Sequence, residues 1–371
     1  MVEQLLARIR AWFASTDWAL LLSMLVLITF GLSVIYGIDV GRGLGGGAAT
    51  TQLIAAGIAI GLFMFASRLP AAAWRSYSLV AYGIGVVALV GVLLFGREVN
   101  GAKSWYSIAG FSFQPVELIK IAMVLFMAYL IDRGGRAFHS FFFFSKTALY
   151  AAIPVLLILR QPDLGSAMVL FGLWLGVMLI VGIKRRYVAL LALLLIVAGL
   201  VGWFFVFAPY QKDRILTFLD PNHDPLGAGY NVQQSIIAIG AGRVFGRGLG
   251  EGSQTQLRFL PEGQTDFIFA VVGEELGFVG VSVIFLAFLF IWYRCMRIAM
   301  SVRDDFGLFV TLGTLVLLFC EITINIGATI GMMPVTGITL PFVSLGGSSL
   351  MMHALLLGIV ASVGRSSRVS G

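Results

Sequence analysis

About ten runs of apolar residues follow one another along this chain, each near the length of about 20 that a helix needs to cross a bilayer. They fall near 18–37, 51–67, 77–95, 115–131, 146–159, 166–183, 188–208, 266–293, 306–325 and 349–364. Unpaired backbone groups are too costly in hydrocarbon, so such spans fold as helices. The expected class is an all-α polytopic membrane protein, with residues 1–371 as one helical domain. Composition agrees: only 12% of residues are charged, against about 25% in soluble domains. The runs 115–131 and 146–159 are short, and read as tilted, broken or extended helices. Ahead of the first span, Val2, Leu5, Leu6, Ile9, Trp12 and Phe13 recur at helical spacing. Residues 1–16 therefore read as an interfacial amphipathic helix, and no cleavable signal peptide is evident.

Charge sets the orientation. The segments that share a side with the N-terminus hold Arg8, Arg10, Arg68, Arg75, Arg133, Arg136, Lys146, Lys184, Arg185, Arg186, Arg294, Arg297, Arg303, Arg365 and Arg368. The short loops opposite hold only Arg42, Arg97 and Lys103. By the positive-inside rule both termini are cytoplasmic. The long loop 209–265, between spans seven and eight, then lies outside. The net charge of +7 reflects this bias and is no nucleic-acid signal. Cys295 and Cys320 fall at or inside spans and give no disulfide framework. His139, His223 and His353 are too scattered in sequence for a zinc site, and no internal repeat of a transporter kind stands out.

The residues with chemistry gather at the outer ends of spans. Leu260-Pro261-Glu262-Gly263-Gln264-Thr265-Asp266 runs from a polar loop into an apolar helix, and brings one carboxylate to its first turn. Glu274 and Glu275 follow about 12–14 Å deeper, where they need buried donors, Lys120 being one candidate. Asn100–Tyr106, which includes Trp105, precedes Gln114-Pro115-Val116-Glu117-Leu118-Ile119-Lys120. There Glu117 and Lys120 share a helix face. Arg160-Gln161-Pro162-Asp163 forms a short charged turn. Each has a plainer reading: Glu117–Lys120 as a local ion pair, Asp163 and Asp266 as helix-start acids favoured by the dipole. Tyr230–Ile239 reads as a short surface helix with Val232, Ile236 and Ile239 toward the membrane. The glycines of 240–252 miss dinucleotide-loop spacing and suit tight turns. Asn325–Gly327 and Pro334–Ser349, broken by Pro and Gly, read as non-helical backbone lining an outward cavity.

Chemistry at that face has no access to cytoplasmic ATP, so its substrate must arrive activated. Lys103, Lys120, Arg160 and Arg214 suit a phosphate-bearing headgroup, apolar walls suit a lipid tail, and a rim carboxylate suits removal of a hydroxyl proton. Group transfer from a lipid-phosphate carrier and translocation of such a lipid both fit.

Several of these segments, in this order, resemble the signatures of the SEDS family of bacterial cell-wall proteins (shape, elongation, division and sporulation). They are the Trp105 region, Gln114-Pro115-Val116-Glu117, Arg160-Gln161-Pro162-Asp163, Leu260-Pro261-Glu262 with Thr265-Asp266-Phe267, and Pro341-Phe342-Val343-Ser344 with Gly346-Gly347-Ser348-Ser349. Asn231-Val232, Gln234-Ser235 and Ser253–Leu257 look closer to the elongation branch than to the division branch. The resemblance implies a ten-span peptidoglycan glycosyltransferase of the bacterial cytoplasmic membrane. It would polymerise lipid II on the outer face, with a class B penicillin-binding protein as partner. The family's essential aspartate falls on Asp266. An α-linked donor giving a β-1,4 product implies one inverting displacement, with Asp266 taking the proton of the acceptor hydroxyl. Trp105, Glu117, Lys120, Arg160, Asp163, Arg214 and Glu262 are the expected substrate-binding residues. Glu274, Glu275, Pro341, Ser344 and Gly346 are the expected structural support. The diphosphate is its own leaving group, so no nucleotide cofactor is implied. No dedicated metal-ligand cluster is evident, and assistance by Mg or Mn stays open. The chain departs from the family pattern at Val116 (more often Ser), Gln264 (more often His) and Leu345 (often Tyr).

Overall fold

The computed structural model describes residues 16–369 apart from 44, 100–101, 109–110, 136–137, 139, 207–208 and 221–226. Most of the amphipathic segment expected over 1–16 lies outside the described residues. Long helices dominate: α1 (Trp18–Gly41), α2 (Gly47–Arg68), α3 (Ala71–Phe95), α4 (Pro115–Gly134), α5 (Phe141–Leu159), α6 (Leu164–Val181) and α7 (Arg185–Val201). After a π-turn at Gly202–Val206, the segment expected as one long loop folds into α8 (Pro209–Leu219), α9 (Ala228–Gly242) and the single turn α10 (Ser253–Gln256). The chain ends in α11 (Ile268–Ser301), α12 (Asp305–Thr329) and α13 (Gly347–Val369). Nine helices among the described residues are long and apolar enough to cross a membrane. The tenth candidate, α4, carries Glu117, Lys120, Asp132 and Arg133. Glu117 and Lys120 are tolerated because that part of the helix is buried, packed between α3 and α12, so both face protein rather than lipid. Asp132 pairs with Arg75, and Arg133 is exposed in the last turn. By contrast, only 6% of the α7 span is buried.

The class is the all-α polytopic one expected, with one addition. Between α3 and α4 the chain forms a three-stranded antiparallel meander, β1 (Arg97–Val99), β2 (Ala102–Ile108) and β3 (Phe111–Phe113). Arg97 pairs with Trp105 and Tyr106 with Phe113. The Tyr106 hydroxyl donates to the Ala88 carbonyl of α3 at 3.0 Å, which ties the meander down onto the bundle. Two apolar cores lie side by side, one around α1, α2, α11 and α13, the other around α4, α6 and α12.

The helix α11 has 34 residues, about 51 Å of rise, well beyond an apolar slab of about 30 Å. Its far end is fixed by Arg294, whose guanidinium grips Asp17 at the start of α1 with contacts of 2.6 and 3.0 Å. Counting about 20 residues back from Arg294 reaches Glu274–Glu275, so the turns beyond them project from the slab. The helix breaks where it emerges. Gly277 takes φ +64, and the loop after α9 repairs the gap. The amides of Arg247 and Gly248 donate to the carbonyls of Glu274 and Glu275, and the amides of Phe278 and Val279 donate to Arg243 and Val244. Close approach requires glycine here: a Cβ on Gly242 would stand 1.8 Å from the Gly273 carbonyl oxygen. The helix α9 is therefore packed against α11 and α12, and its Val232 and Ile236 reach Gly331. Its Ser235 hydroxyl donates to the Thr329 carbonyl at 2.6 Å. This corrects the expectation that Val232 and Ile239 turn to the membrane, since Ile239 packs against Gly273 and Val232 is half-buried, while Ile236 stays exposed.

Candidate active site

The segment 260–266 enters α11 in a conformation imposed from three directions. The Leu345 amide donates to the Gln264 carbonyl at 2.8 Å, and the Ser344 hydroxyl to the Thr265 carbonyl at 2.6 Å. Asn325 of α12 donates its Nδ2 to the Asp266 carbonyl at 2.9 Å and to the Ile338 carbonyl at 2.7 Å. The Gln264 side chain donates to Asp39 at 2.9 Å, and Asp39 also accepts the Ala49 amide at the start of α2. Gln52 holds the opposite side of the frame: its Nε2 donates to the Ser344 carbonyl and its Oε1 accepts the Gly346 amide. Pro341 opens the turn in which the Ser344 Oγ accepts the Leu340 amide at 2.9 Å. The Pro- and Gly-broken segment after α12 thus becomes a cradle for Asp266. Asn325 itself is still helical, so the irregular backbone starts later than expected.

A cavity of about 540 Å³ opens against this cradle. Asp266, Glu262 and Asp163 supply its carboxylates, Trp105 and Ser104 come from β2, and Thr336, Gly337, Thr339, Gly346, Ser348 and Ser349 form the cradle wall. Asp163 also caps α6, accepting the Ser166 amide at 2.9 Å and the Ser166 hydroxyl at 2.7 Å, so its helix-start role and its place on the wall coexist. Glu262 accepts from the Thr265 hydroxyl at 3.0 Å. Gly337 takes φ +76, and a Cβ there would stand 3.7 Å from Asp266 Oδ2. Gly337→Ala is expected to cost about 1–2 kcal/mol from the left-handed backbone alone. A lowered unfolding midpoint in detergent is the check.

The structure does not bring Glu117 and Lys120 to this wall. Lys120 Nζ lies 2.8 Å from Glu117 Oε1 and 2.7 Å from Glu321 Oε1, with the lysine side chain 3% exposed. Glu321 in turn meets His353 Nε2, and His353 Nδ1 reaches the Ser349 carbonyl at 2.7 Å. The expected contact of Lys120 with a phosphate is thus corrected: two acids already hold its ammonium group. Glu274 is not its partner either. Glu274 accepts the Gln254 and Thr255 amides and the Thr255 hydroxyl, at 2.8, 3.1 and 2.7 Å. Thr255 is gripped again by Arg42, whose Nη2 donates to its carbonyl at 2.6 Å. Glu275 is fully buried, its carboxylate beside Gly37 of α1. Arg160 is exposed at the end of α5, two residues before the wall residue Pro162, and Lys103 is exposed beside Ser104. The Arg214 side chain lies outside the described residues. Among the described residues no Lys or Arg lines the cavity.

Glu321, His353, Asp39 and Gln52 were missed as framework residues. Glu321 had a signal, an acid inside an apolar run. Among the described residues, Glu117, Glu321 and His353 form the only acid–histidine group close enough to share a metal ion, and the Lys120 ammonium already bridges two of its members. The cavity carboxylates do not converge in this way.

Comparison with known proteins follows the same outline. The sequence model of the FtsW/RodA/SpoVE family, described as cell cycle protein, matches residues 16–369. Stage V sporulation protein E of Bacillus subtilis is 37% identical over 364 residues, covering 95% of this chain and 98% of that protein. The peptidoglycan glycosyltransferase MrdB of Escherichia coli K12 is 35% identical over 347 residues, covering 94% and 93%. Among solved structures, a chain from a peptidoglycan synthase complex that coordinates polymerization and crosslinking superposes with a TM-score of 0.79. It is 31% identical, and the match covers 95% of this chain and 98% of that one. The rod shape determining protein RodA of Thermus thermophilus gives 0.69 at 27% identity, covering 94% and 97%.

Proposed function

The chain belongs to the FtsW/RodA/SpoVE, or SEDS, family, and from that premise we propose that it is a peptidoglycan glycosyltransferase that polymerises lipid II. The observation that carries this reading is Asp266 on the wall of a 540 Å³ cavity, its peptide unit pinned by Asn325, with the preceding carbonyl held by Ser344. A carboxylate carried on a backbone held in this manner suits a general base. It takes the proton of the acceptor sugar's 4-hydroxyl as that oxygen attacks C1 of the donor. The C1–O bond to undecaprenyl diphosphate breaks on the opposite face, and the diphosphate leaves with the electron pair.

The wall chemistry divides the substrate. Half-buried Trp105 with the hydroxyls of Thr339, Ser348 and Ser349 suits sugar, which offers hydroxyls and an apolar ring face. The diphosphate finds its counter-charge at the rim, where Lys103 and Arg160 flank wall residues. No step is routed through a divalent ion. The site faces the outside of the bacterial cytoplasmic membrane, as the arginine bias of the opposite loops implies.

Membership of the elongation branch is supported by the Asn231–Ser235 and Ser253–Leu257 segments. Asn231 lines the cavity, and Thr255 is the knot tied by Glu274 and Arg42. The partner in this reading is a class B penicillin-binding protein that crosslinks the emerging strands. Purified protein with that partner, given lipid II, should yield glycan strands resolvable on a gel. Translocation of lipid II in liposomes without any strand formation would overturn the polymerase reading in favour of a flippase.

A further inference from the structure

A second void adjoins the cavity and shares Asp266, Val335, Thr336 and Gly337 with it. Phe267, Asn325, Ala328 and Ile338 complete its lining, and its volume is about 10 Å³, close to the least space that holds one water molecule. Two oxygens on this lining have no partner among the described protein groups, Asn325 Oδ1 and Thr336 Oγ1. Both residues are more than nine-tenths buried, at 2% and 7% exposure. The Asn325 amide cannot be turned over to escape this. Its nitrogen already donates to two carbonyls, those of Asp266 and Ile338, which an oxygen in that place would repel. Its Oδ1 therefore needs a donor. Orphaned oxygens of this kind cost about 1–3 kcal/mol each.

We propose that this void is a built water site behind the base. One water donates one hydrogen to Asn325 Oδ1 and the other to the Asp266 carboxylate, and accepts the Thr336 hydroxyl. That arrangement satisfies both orphaned oxygens with three hydrogen bonds, the usual number for a buried water. Its consequence for chemistry is orientation. The water holds one carboxylate oxygen against the frame, which turns the other toward the acceptor hydroxyl in the large cavity. Thr336 and Asn325 are then positioning residues acting through the water. This rests on the reading of Asp266 as the base.

Three variants and one direct observation test it. Thr336→Val keeps the side chain's shape and removes the hydroxyl. Thr336→Ser keeps the hydroxyl. Ala328→Val fills the void and touches no hydrogen-bonding group. Asn325 is left alone because its nitrogen also holds two carbonyls. With wild-type partner and lipid II, Thr336→Val should lower kcat about tenfold at unchanged KM, as expected for a lost hydrogen bond to a charged network. Thr336→Ser should recover most of that rate, and Ala328→Val should lose as much as Thr336→Val. A high-resolution structure of the wild-type protein should contain density between the three residues, missing in Ala328→Val. Wild-type kcat in Thr336→Val, with an unchanged or raised unfolding midpoint, would overturn the proposal. A raised KM at constant kcat would overturn it too, since the hydroxyl would then be touching substrate. If the wild-type protein makes no glycan, the functional reading fails, and the density alone still decides whether the water is there.

Discussion

Asp266→Asn, assayed with lipid II and the partner transpeptidase, should lower strand formation by about 10²–10⁴-fold, the range that general-base catalysis contributes. The substitution keeps the shape of the side chain and removes its capacity to take a proton. The fold around it should survive, because the frame holds three successive backbone carbonyls that the substitution leaves in place. Asn325 holds the Asp266 carbonyl, Ser344 the Thr265 carbonyl and Leu345 the Gln264 carbonyl. Expression, unfolding midpoint and co-purification with the partner should therefore stay at wild-type levels while glycan product disappears. This combination separates a catalytic role from a helix-start role. An acid that only balances the dipole of α11 would contribute about 0.3–1 kcal/mol of stability, and its loss would leave turnover intact. Full polymerisation by Asp266→Asn would remove the base from the mechanism.

The spans were legible because each is an apolar run closed by charge or glycine, and that pattern depends only on neighbours in sequence. The cradle after α12 was legible for the same reason: Pro334 and Pro341 break a helix, and Gly337 and Gly346 weaken one. The Glu117–Lys120 pair was legible because helical geometry brings residues three apart onto one face. What stayed hidden was every partner brought by tertiary packing. Glu321 lies 201 residues from Lys120 along the chain, and Asp39 lies 225 residues from Gln264. No periodicity in one sequence links such positions. The same gap explains why Lys120 looked like a phosphate ligand. Glu117 was in view as a local partner, but the second acid, Glu321, was not, so the ammonium appeared to have charge to spare for substrate. The meander of β1 to β3 was hidden for a different reason. Its strands are three to seven residues long, too short for alternation to stand out.

Removing the Lys120 charge should destabilise the protein more than any substitution on the cavity wall. Lys120→Met retains most of the apolar stem but leaves Glu117 and Glu321 facing each other inside the bundle. The lysine's side chain is 3% exposed, those of the two acids 6% and 1%, so water cannot take the place of the ammonium. Breaking a buried ion pair by removing one partner costs about 3–5 kcal/mol, mostly from the stranded charge. Here one cation serves two acids, and the loss should sit at the upper end. The expected result is a sharply lowered unfolding midpoint and poor recovery from membranes. The cause can be isolated, because a stranded charge is cured by neutralising it. Lys120→Met combined with Glu117→Gln and Glu321→Gln should regain much of the lost stability, as buried ionic clusters often tolerate replacement as a whole. The three helices α4, α12 and α13 meet at this cluster through Lys120, Glu321 and His353, and His353 passes the constraint to Ser349 on the cavity wall. The rescued triple variant should therefore fold yet polymerise slowly, since the wall would lose its anchor. A triple variant no more stable than Lys120→Met alone would mean that the cluster holds the helices by shape, and that charge balance is incidental to it.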